Sequence, residues 1–534
     1  MAEKVKKLII KQLVNFNVNK IYGYPGDTIL SFMSALKDSP IKLYTTRHES
    51  TAGLMASAES KLTDNISVCL AHSGPGTANI INGIADSYSD KTPLLLISGQ
   101  VEGYNIGTNY KQFVNQLELT NPLTVYSTIL LNPESTIDIL YKALTKAIST
   151  GGVSHLVIPM DIWDKESSAV PRQFPAHLKI KPMPAESLLD QAAERINNCH
   201  KPVILYGRGA KNSITELIAF ADKIKAPLVN TLPAAGLIDF GHPLALGGLG
   251  HSGNNYSSQI LGEADLIIIL AATWWPIDYT PRAPQIIQFD VTKNNIAADH
   301  PVDLGIYSDL QSALSTILNK VNTKDDSQWQ SHFNEIKNKW LDEINTVSGK
   351  SDWPLNPAAV ITIISEMTQE NEIICLDSGD NVIYFGKYFG NKCKDILISG
   401  SWRTMGFALP ASLTAKINFN QSPVTCITGD GGLNMVLGEI LTAARYQLPV
   451  KIIVLNNGSL AMEKNRMITE DLKVEEVSLT NPDYVKLAEA CGISGVTVEN
   501  IENLKNVLSE NVNPDKPLLI DIPVSDSIIP GTKL

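Results

Sequence analysis

The sequence is short of the features that assign a protein quickly. Its six cysteines, Cys69, Cys199, Cys375, Cys393, Cys426 and Cys491, are scattered, and no pair has CxxC spacing. Neither a zinc site nor a disulfide framework is indicated. Basic residues are not in excess: 44 Lys and Arg stand against 55 Asp and Glu, a net charge of −11. That balance argues against nucleic acid or an acidic membrane as partner. No stretch of about 20 apolar residues occurs, so no membrane span is expected. The opening MAEKVKKLIIKQLVNF reads as an amphipathic helix and not a signal peptide, since no long apolar run or cleavage site follows. The end, DIPVSDSIIPGTKL, has no long amphipathic tail, so membrane recruitment is not expected. The expected location is cytoplasmic.

What is present is a rhythm. Apolar runs of four to seven residues alternate with helical patterns: ISVCLA, PLLLISG, HLVIPM, PVILYG, DLIIILA, QIIQFD, EIICLD, VTCITGD, VKIIVLNN and PLLIDI. Continuous apolar strands separated by helices imply parallel sheets covered on both faces, hence an α/β fold. The chain of 534 residues is too long for one core. PRQFPAHLKIKPMPAES, 171–187, is proline-rich and aperiodic, so it reads as a linker. The polar stretch 322–357 is expected to hold one exposed helix between domains. Three α/β domains follow, at 1–175, 185–325 and 355–534, each a mostly parallel sheet flanked by helices.

One unit carries chemistry. GDGGLNMVLGEILTAARYQLPVKIIVLNN, 429–457, reads as strand end, loop, one helix, strand and two amides. A right-handed crossover makes the two strands parallel, so Asp430 and Asn457 leave the same sheet edge, where ligands of open α/β sheets bind. A carboxylate, an amide oxygen and a backbone carbonyl are hard donors that suit Mg²⁺ together with phosphate oxygens. Gly431 and Gly432 let the backbone approach an anion at a helix N-terminus. No GK[ST] follows, so this is not a P-loop, and it is not GxGxxG. The plainer alternative is a glycine turn with an asparagine strand cap.

GDG…NN resembles the diphosphate motif of thiamine-diphosphate enzymes. YGYPGD, RHES, HSGPGTANIINGIADSYSDKTPLLLISGQ, HLVIPMD, SGSWRTMGFALPASLTAK and DYVKLAEACGISG extend the resemblance over nearly the whole chain. The set is similar to pyruvate oxidases, acetolactate synthases and 2-oxo acid decarboxylases, with pyruvate oxidase the nearest. The resemblance implies a pyrimidine-binding domain, a middle domain and a diphosphate-binding domain. It implies Mg²⁺ on Asp430, Asn457 and the Ser459 carbonyl, and cofactor contacts at Gly26, Gly74, Gly429, Leu460 and Met462. Met405 would prop the cofactor into its bent shape, and the Arg403 carbonyl would accept from its amino group. Glu49 of RHES would bond the ring nitrogen and share a proton with it. By resemblance Glu49 reaches a cofactor held by another subunit, so a homodimer or homotetramer is expected. Read alone, Glu49 is equally a helix-start glutamate and Met405 a core methionine.

Around the reacting carbon the candidates are Asp27, Gln116, Met462 and Glu463. Gln116 lies in Asn-Gln-Leu, where oxidases and synthases show Phe-Gln-Glu. Glu463 matches the acid of pyruvate decarboxylases, six residues after the second Asn, whereas the oxidase position holds Arg466. No His-His pair of the yeast decarboxylase type is present; His48 and His72 read as satisfied structural histidines, with a place in the cleft as the alternative. The middle segment resembles the flavin domain of pyruvate oxidases, which implies FAD at Gly207, Gly209 and Gly250, with Asp290 on a ribose hydroxyl. TWWP falls where the oxidases carry a shorter polar-aromatic segment. The expected reaction is thiamine- and Mg²⁺-dependent decarboxylation of pyruvate or a related small 2-oxo acid, oxidative through FAD. Non-oxidative decarboxylation and acetolactate-type carboligation are the alternatives.

Overall fold

The computed structural model describes residues 2–281, 284–325, 327–349, 352–509 and 515–526. The last residues of the chain's end, 527–534, on which the expectation about a tail partly fell, lie outside them. Each of the ten apolar runs forms a strand, and they are shared among three six-stranded sheets whose neighbouring strands all run parallel. Leu94–Gln100, LLLISGQ, is buried at every position, as a strand with helices on both faces must be. No helix among the described residues is long and apolar enough to cross a membrane.

In the N-terminal sheet the order is Lys42–Thr45, Lys20–Gly23, Ser67–Ala71, Leu94–Gln100, Val153–Pro159, Tyr126–Ile129. In the C-terminal sheet it is Asp395–Leu397, Ile373–Leu376, Val424–Gly429, Lys451–Asn456, Leu518–Pro523, Ser494–Thr497. The middle sheet is built on Pro202–Tyr206 and Leu266–Leu270 at its centre, where the strand order reverses.

The helix Glu49–Thr63 joins two of these units. Its sequence, ESTAGLMASAESKLT, is small-residue rich and has no polar stripe, because nearly every position is buried. Gly53 faces Gly83 of the helix Pro75–Ser89 so closely that a Cβ on Gly53 would lie 2.8 Å from the Gly83 Cα. On its other side it meets the helix Ala408–Asn418, and one apolar core runs from Met55 and Ile84 to Phe407 and Leu413.

Two expectations need correction. The helix after GDG is not single: Asp430–Asn434, a 3₁₀ turn Leu437–Glu439 and Ile440–Arg445 replace it. Just after the break, Gly438 packs on the Arg47 side chain and the Glu439 carboxylate accepts from the Arg47 N–H at 2.9 Å. The helix Ser327–Ser348 is not a free spacer. Trp329, Phe333, Ile336 and Trp340 are buried in the middle-domain core.

Candidate active site

The strands Val424–Gly429 and Lys451–Asn456 are neighbours, with Gly429 paired to Leu455. Their ends therefore release Asp430 and Asn457 at one edge. The Gly458 N–H donates to Asp430 Oδ2 at 2.8 Å, which brings the two loops into direct contact. The paired amides divide the work. Asn456 donates to Asp521 at 2.9 Å and accepts from Asn481 at 3.0 Å, so it anchors the strand end. Asn457 accepts from the Ser459 N–H at 3.1 Å and faces a cavity of about 450 Å³.

Arg403, Met405, Gly429, Asp430, Gly431, Gly432, Asn457, Ser459, Leu460, Met462 and Glu463 all line that cavity. His251, Ser252 and Trp274 close it from the middle domain. Burial raises the Asp430 pKa, against donations from Asn481, Gly431 and Gly458. The residues fit a metal-bridged diphosphate. A Cβ on Gly458 would meet nothing within 4 Å, and one on Gly429 only Asn381 Oδ1 at 3.9 Å, which leaves room for phosphoryl oxygens. The Ser459 hydroxyl is buried with no hydrogen-bond partner among the described residues. Among those residues no cluster of three His, Cys, Asp or Glu could hold a metal; the hard donors here are one carboxylate, one amide and a carbonyl.

Two positioning residues escaped the sequence reading. Asp377, fully buried, accepts from Ser378 N–H at 2.8 Å, Gly406 N–H at 2.8 Å and the Thr428 hydroxyl at 2.9 Å. It ties together the loop after Ile373–Leu376, the Met405 loop and the GDG loop. Burial pushes its pKa up to about 6. Asn481 donates to Asp430 Oδ2 at 2.7 Å and so aims that carboxylate. Asp377 ends the EIICLD run, a position already known to carry ligands in such sheets; Asn481 sits in a plain NPDY and had no such signal. Asp380, also on the cavity wall, has its pKa raised to about 6 by burial and then by Asp526 and Glu463. Arg403 is held at φ +57°, a strained value for a side-chain-bearing residue.

The N-terminal candidates lie elsewhere. Glu49 opens its helix, is nearly buried and accepts from Asn79 at 3.0 Å, but it is not on the wall of its own chain's cavity. Asp27, Gly26 and Gly74 share its sheet edge, where a Cβ on Gly26 would lie 2.4 Å from His72 and one on Gly74 2.4 Å from the Gln112 carbonyl. Gln116, expected beside the reacting carbon, is turned inward: it accepts from Thr77 at 2.6 Å and donates to the Gly99 carbonyl at 2.8 Å.

The flavin candidates are engaged by the chain itself. A Cβ on Gly207 would lie 2.1 Å from the Ala271 carbonyl oxygen, and one on Gly209 2.9 Å from the Ala271 Cβ, so these glycines let the loop pack against the neighbouring strand end. The Trp274 indole covers Gly250, 2.0 Å from where a Cβ would stand. Arg208 and Lys211, the loop's cations, both pair with Asp395 of the C-terminal domain, at 3.0 and 2.6 Å. Asp290 accepts from Thr292 N–H at 2.7 Å and Asn295 at 3.1 Å.

Family models match three segments: the thiamine pyrophosphate enzyme N-terminal TPP binding domain at 3–119, the central domain at 189–317 and the C-terminal TPP binding domain at 377–522. A putative thiamine pyrophosphate-containing protein of Bacillus subtilis is 31% identical over 99% of this chain and 94% of its own. A probable acetolactate synthase large subunit of Methanocaldococcus jannaschii is 30% identical over 99% and 94%. A pyruvate oxidase of Lactiplantibacillus plantarum is 26% identical over 98% and 89%.

Proposed function

Because the chain belongs to the thiamine pyrophosphate enzyme family, we propose that it decarboxylates pyruvate or a related small 2-oxo acid, with Mg²⁺ and thiamine diphosphate and without net oxidation. One observation carries the reading: Asp430 and the Asn457–Ser459 loop meet at adjoining strand ends beside Gly429 and Gly458, in the cavity that Met405 enters. The cofactor, when bound, supplies the nucleophilic carbon and the electron sink for loss of CO₂. The protein does the rest. Asp430, Asn457 and the Ser459 carbonyl would hold the metal, and Gly429 to Gly432 would admit the diphosphate. Met405 would pack against the bound cofactor, and the Arg403 carbonyl would accept from its amino group. Glu49 of a second copy would keep a proton at the ring nitrogen, which would make the catalytic unit at least a homodimer. Glu463 and, from that second copy, Asp27 would face the substrate.

The non-oxidative outcome, aldehyde release or carboligation to an acetolactate-type product, has the support of the acetolactate synthase relative. The oxidative outcome through FAD keeps the support of the pyruvate oxidase relative. Anaerobic mixing of the purified protein with pyruvate, Mg²⁺ and thiamine diphosphate separates them. The expected result is CO₂ with acetaldehyde or acetolactate and no flavin absorbance. A flavin band bleached by pyruvate would establish the oxidative reaction instead, and no CO₂ from any 2-oxo acid would overturn both.

A further inference from the structure

We propose that the Arg403 side chain is a specificity-determining residue, whose guanidinium receives a carboxylate that the reaction does not remove. The proposal rests on the non-oxidative reading above, which uses only the carbonyl of this residue.

Arg403 is held at φ +57°, in the left-handed region that glycine enters freely and arginine does not. Its neighbours enforce this. Asn82, on the helix Pro75–Ser89, accepts from the Trp402 indole N–H at 2.8 Å and donates to Thr404 Oγ1 at 3.0 Å, so one amide grips the chain on both sides of Arg403. The Thr404 N–H donates to Ser399 Oγ at 3.0 Å, and the Gly406 N–H to Asp377 at 2.8 Å. A glycine would make this turn without strain. The reason for a side chain at 403 therefore lies in what it binds and not in the turn.

The surroundings say what that is. Arg403 is the only Lys or Arg among the described residues on the cavity wall, which also carries the carboxylates of Asp380, Asp430 and Glu463. Among the described residues none gives its guanidinium a hydrogen bond or an ion pair. Asp90 acts on it only through space. Asp90 is itself engaged: Lys61 stands 2.7 Å away, and the Gly400 and Ser401 N–H groups donate to it at 2.8 and 2.7 Å. A 2-oxo acid arrives as an anion, and the wall carboxylates oppose it. A guanidinium with its fork free answers both oxygens of a carboxylate.

Which carboxylate it takes follows from the energetics. Held on the departing carboxylate, a guanidinium would bind the starting anion more tightly than the neutral CO₂ it becomes, and would slow its loss. A retained carboxylate keeps its charge throughout, so holding it positions the molecule without opposing the reaction. Two sources supply one. In carboligation, two 2-oxo acid anions and one proton give a hydroxy-oxo acid anion and CO₂. One C–C bond breaks, one forms between the two carbonyl carbons, the proton ends on the new hydroxyl, and no outside oxidant or reductant is used. The second molecule keeps its carboxylate. In a 2-oxo diacid the distal carboxylate stays: the dianion and one proton give an aldehyde acid anion and CO₂, with one C–C bond broken and one C–H bond formed.

The test uses the full chain with Mg²⁺ and thiamine diphosphate, as wild type, Arg403→Gly and Arg403→Lys. Glycine keeps the carbonyl and relieves the backbone; lysine keeps the charge without the fork. Pyruvate alone reports acetolactate against acetaldehyde. CO₂ release from 2-oxoglutarate against that from pyruvate gives a second ratio within each enzyme. Expected in Arg403→Gly is a fall of about 10- to 100-fold in at least one ratio, smaller in Arg403→Lys, with a melting temperature no lower than wild type. A fall in the acetolactate ratio names a second 2-oxo acid as the source of the carboxylate; a fall in the 2-oxoglutarate ratio names the distal group of the substrate itself. Wild-type values of both ratios in Arg403→Gly would overturn the proposal. So would an Arg403→Gly protein that melts lower or separates into monomers, because the guanidinium would then serve the fold or the contact between copies. A wild type that releases no CO₂ from any 2-oxo acid removes the underlying reading, whereas an active wild type beside an indifferent Arg403→Gly removes this proposal alone.

Discussion

At the scale of single residues, the strongest constraint is a carboxylate that touches no ligand. Asp377 receives hydrogen bonds from its own loop, from the Met405 loop and from the end of the strand Val424–Gly429, which must be in register before any cofactor arrives. Replacing one oxygen by an amide sets donor against donor at a fully buried position. Asp377→Asn is therefore expected to fold yet bind thiamine diphosphate about 10- to 100-fold more weakly, in line with the loss of groups that orient direct ligands. Titration of the cofactor by circular dichroism or tryptophan fluorescence checks it, and unchanged affinity would refute it. Asp380 gives a pH signature. Its folded pKa lies at about 6, above that of an unfolded aspartate, because burial and the carboxylates of Asp526 and Glu463 oppose its charge. The unfolded chain thus releases this proton first, and stability falls as pH rises from about 4 through 6. Its share is about 3 kcal/mol. Thermal melts at pH 5 and 7.5 should show Asp380→Asn losing part of the wild-type decline; an identical decline would count against the assignment.

At the scale of elements, the sequence was most legible where a strand is long and doubly buried. All ten apolar runs are strands, because a parallel strand covered on both faces has no polar side to confuse the pattern. Short strands such as Leu228–Asn230 and Asp395–Leu397 went unread, as three residues carry no periodicity. The 329, 333, 336, 340 stripe was visible in the sequence but was masked by the polar composition around it. The GDG–NN unit was legible because its loop chemistry and its strand pairing agree. The direction in which the Gln116 amide turns was not, since a motif position carries no such information. Asn481 and Asp377 were missed because they act through other residues, a relation that exists only once the chain is folded.

At the scale of the whole molecule, three domains meet at one cluster of charges. Arg208 of the middle domain donates to Asp395 of the C-terminal domain at 3.0 Å and to the Lys61 carbonyl of the N-terminal domain at 2.6 Å. Lys61, itself buried, pairs with Asp86 at 2.6 Å and Asp90 at 2.7 Å and donates to the Ile398 carbonyl at 3.0 Å. Asp395 is 3% exposed, so taking away a partner leaves charge in a poor solvent. Arg208→Ala should cost about 2 kcal/mol with Lys211 still in place, read as a melting temperature lower by several degrees. No change on melting would mean that Lys211 suffices.

Glu49 stands apart from the pocket its own chain builds. In a two-fold assembly each pocket then borrows its glutamate from across the axis. Two separately dead chains, one Glu49→Gln and one Asp430→Ala, can therefore rescue each other when coexpressed. Every mixed pair contains one wholly intact pocket and one doubly broken one, so random pairing restores about a quarter of wild-type turnover. Silence in that mixture, with mixed pairs shown to form, would mean that each chain serves itself.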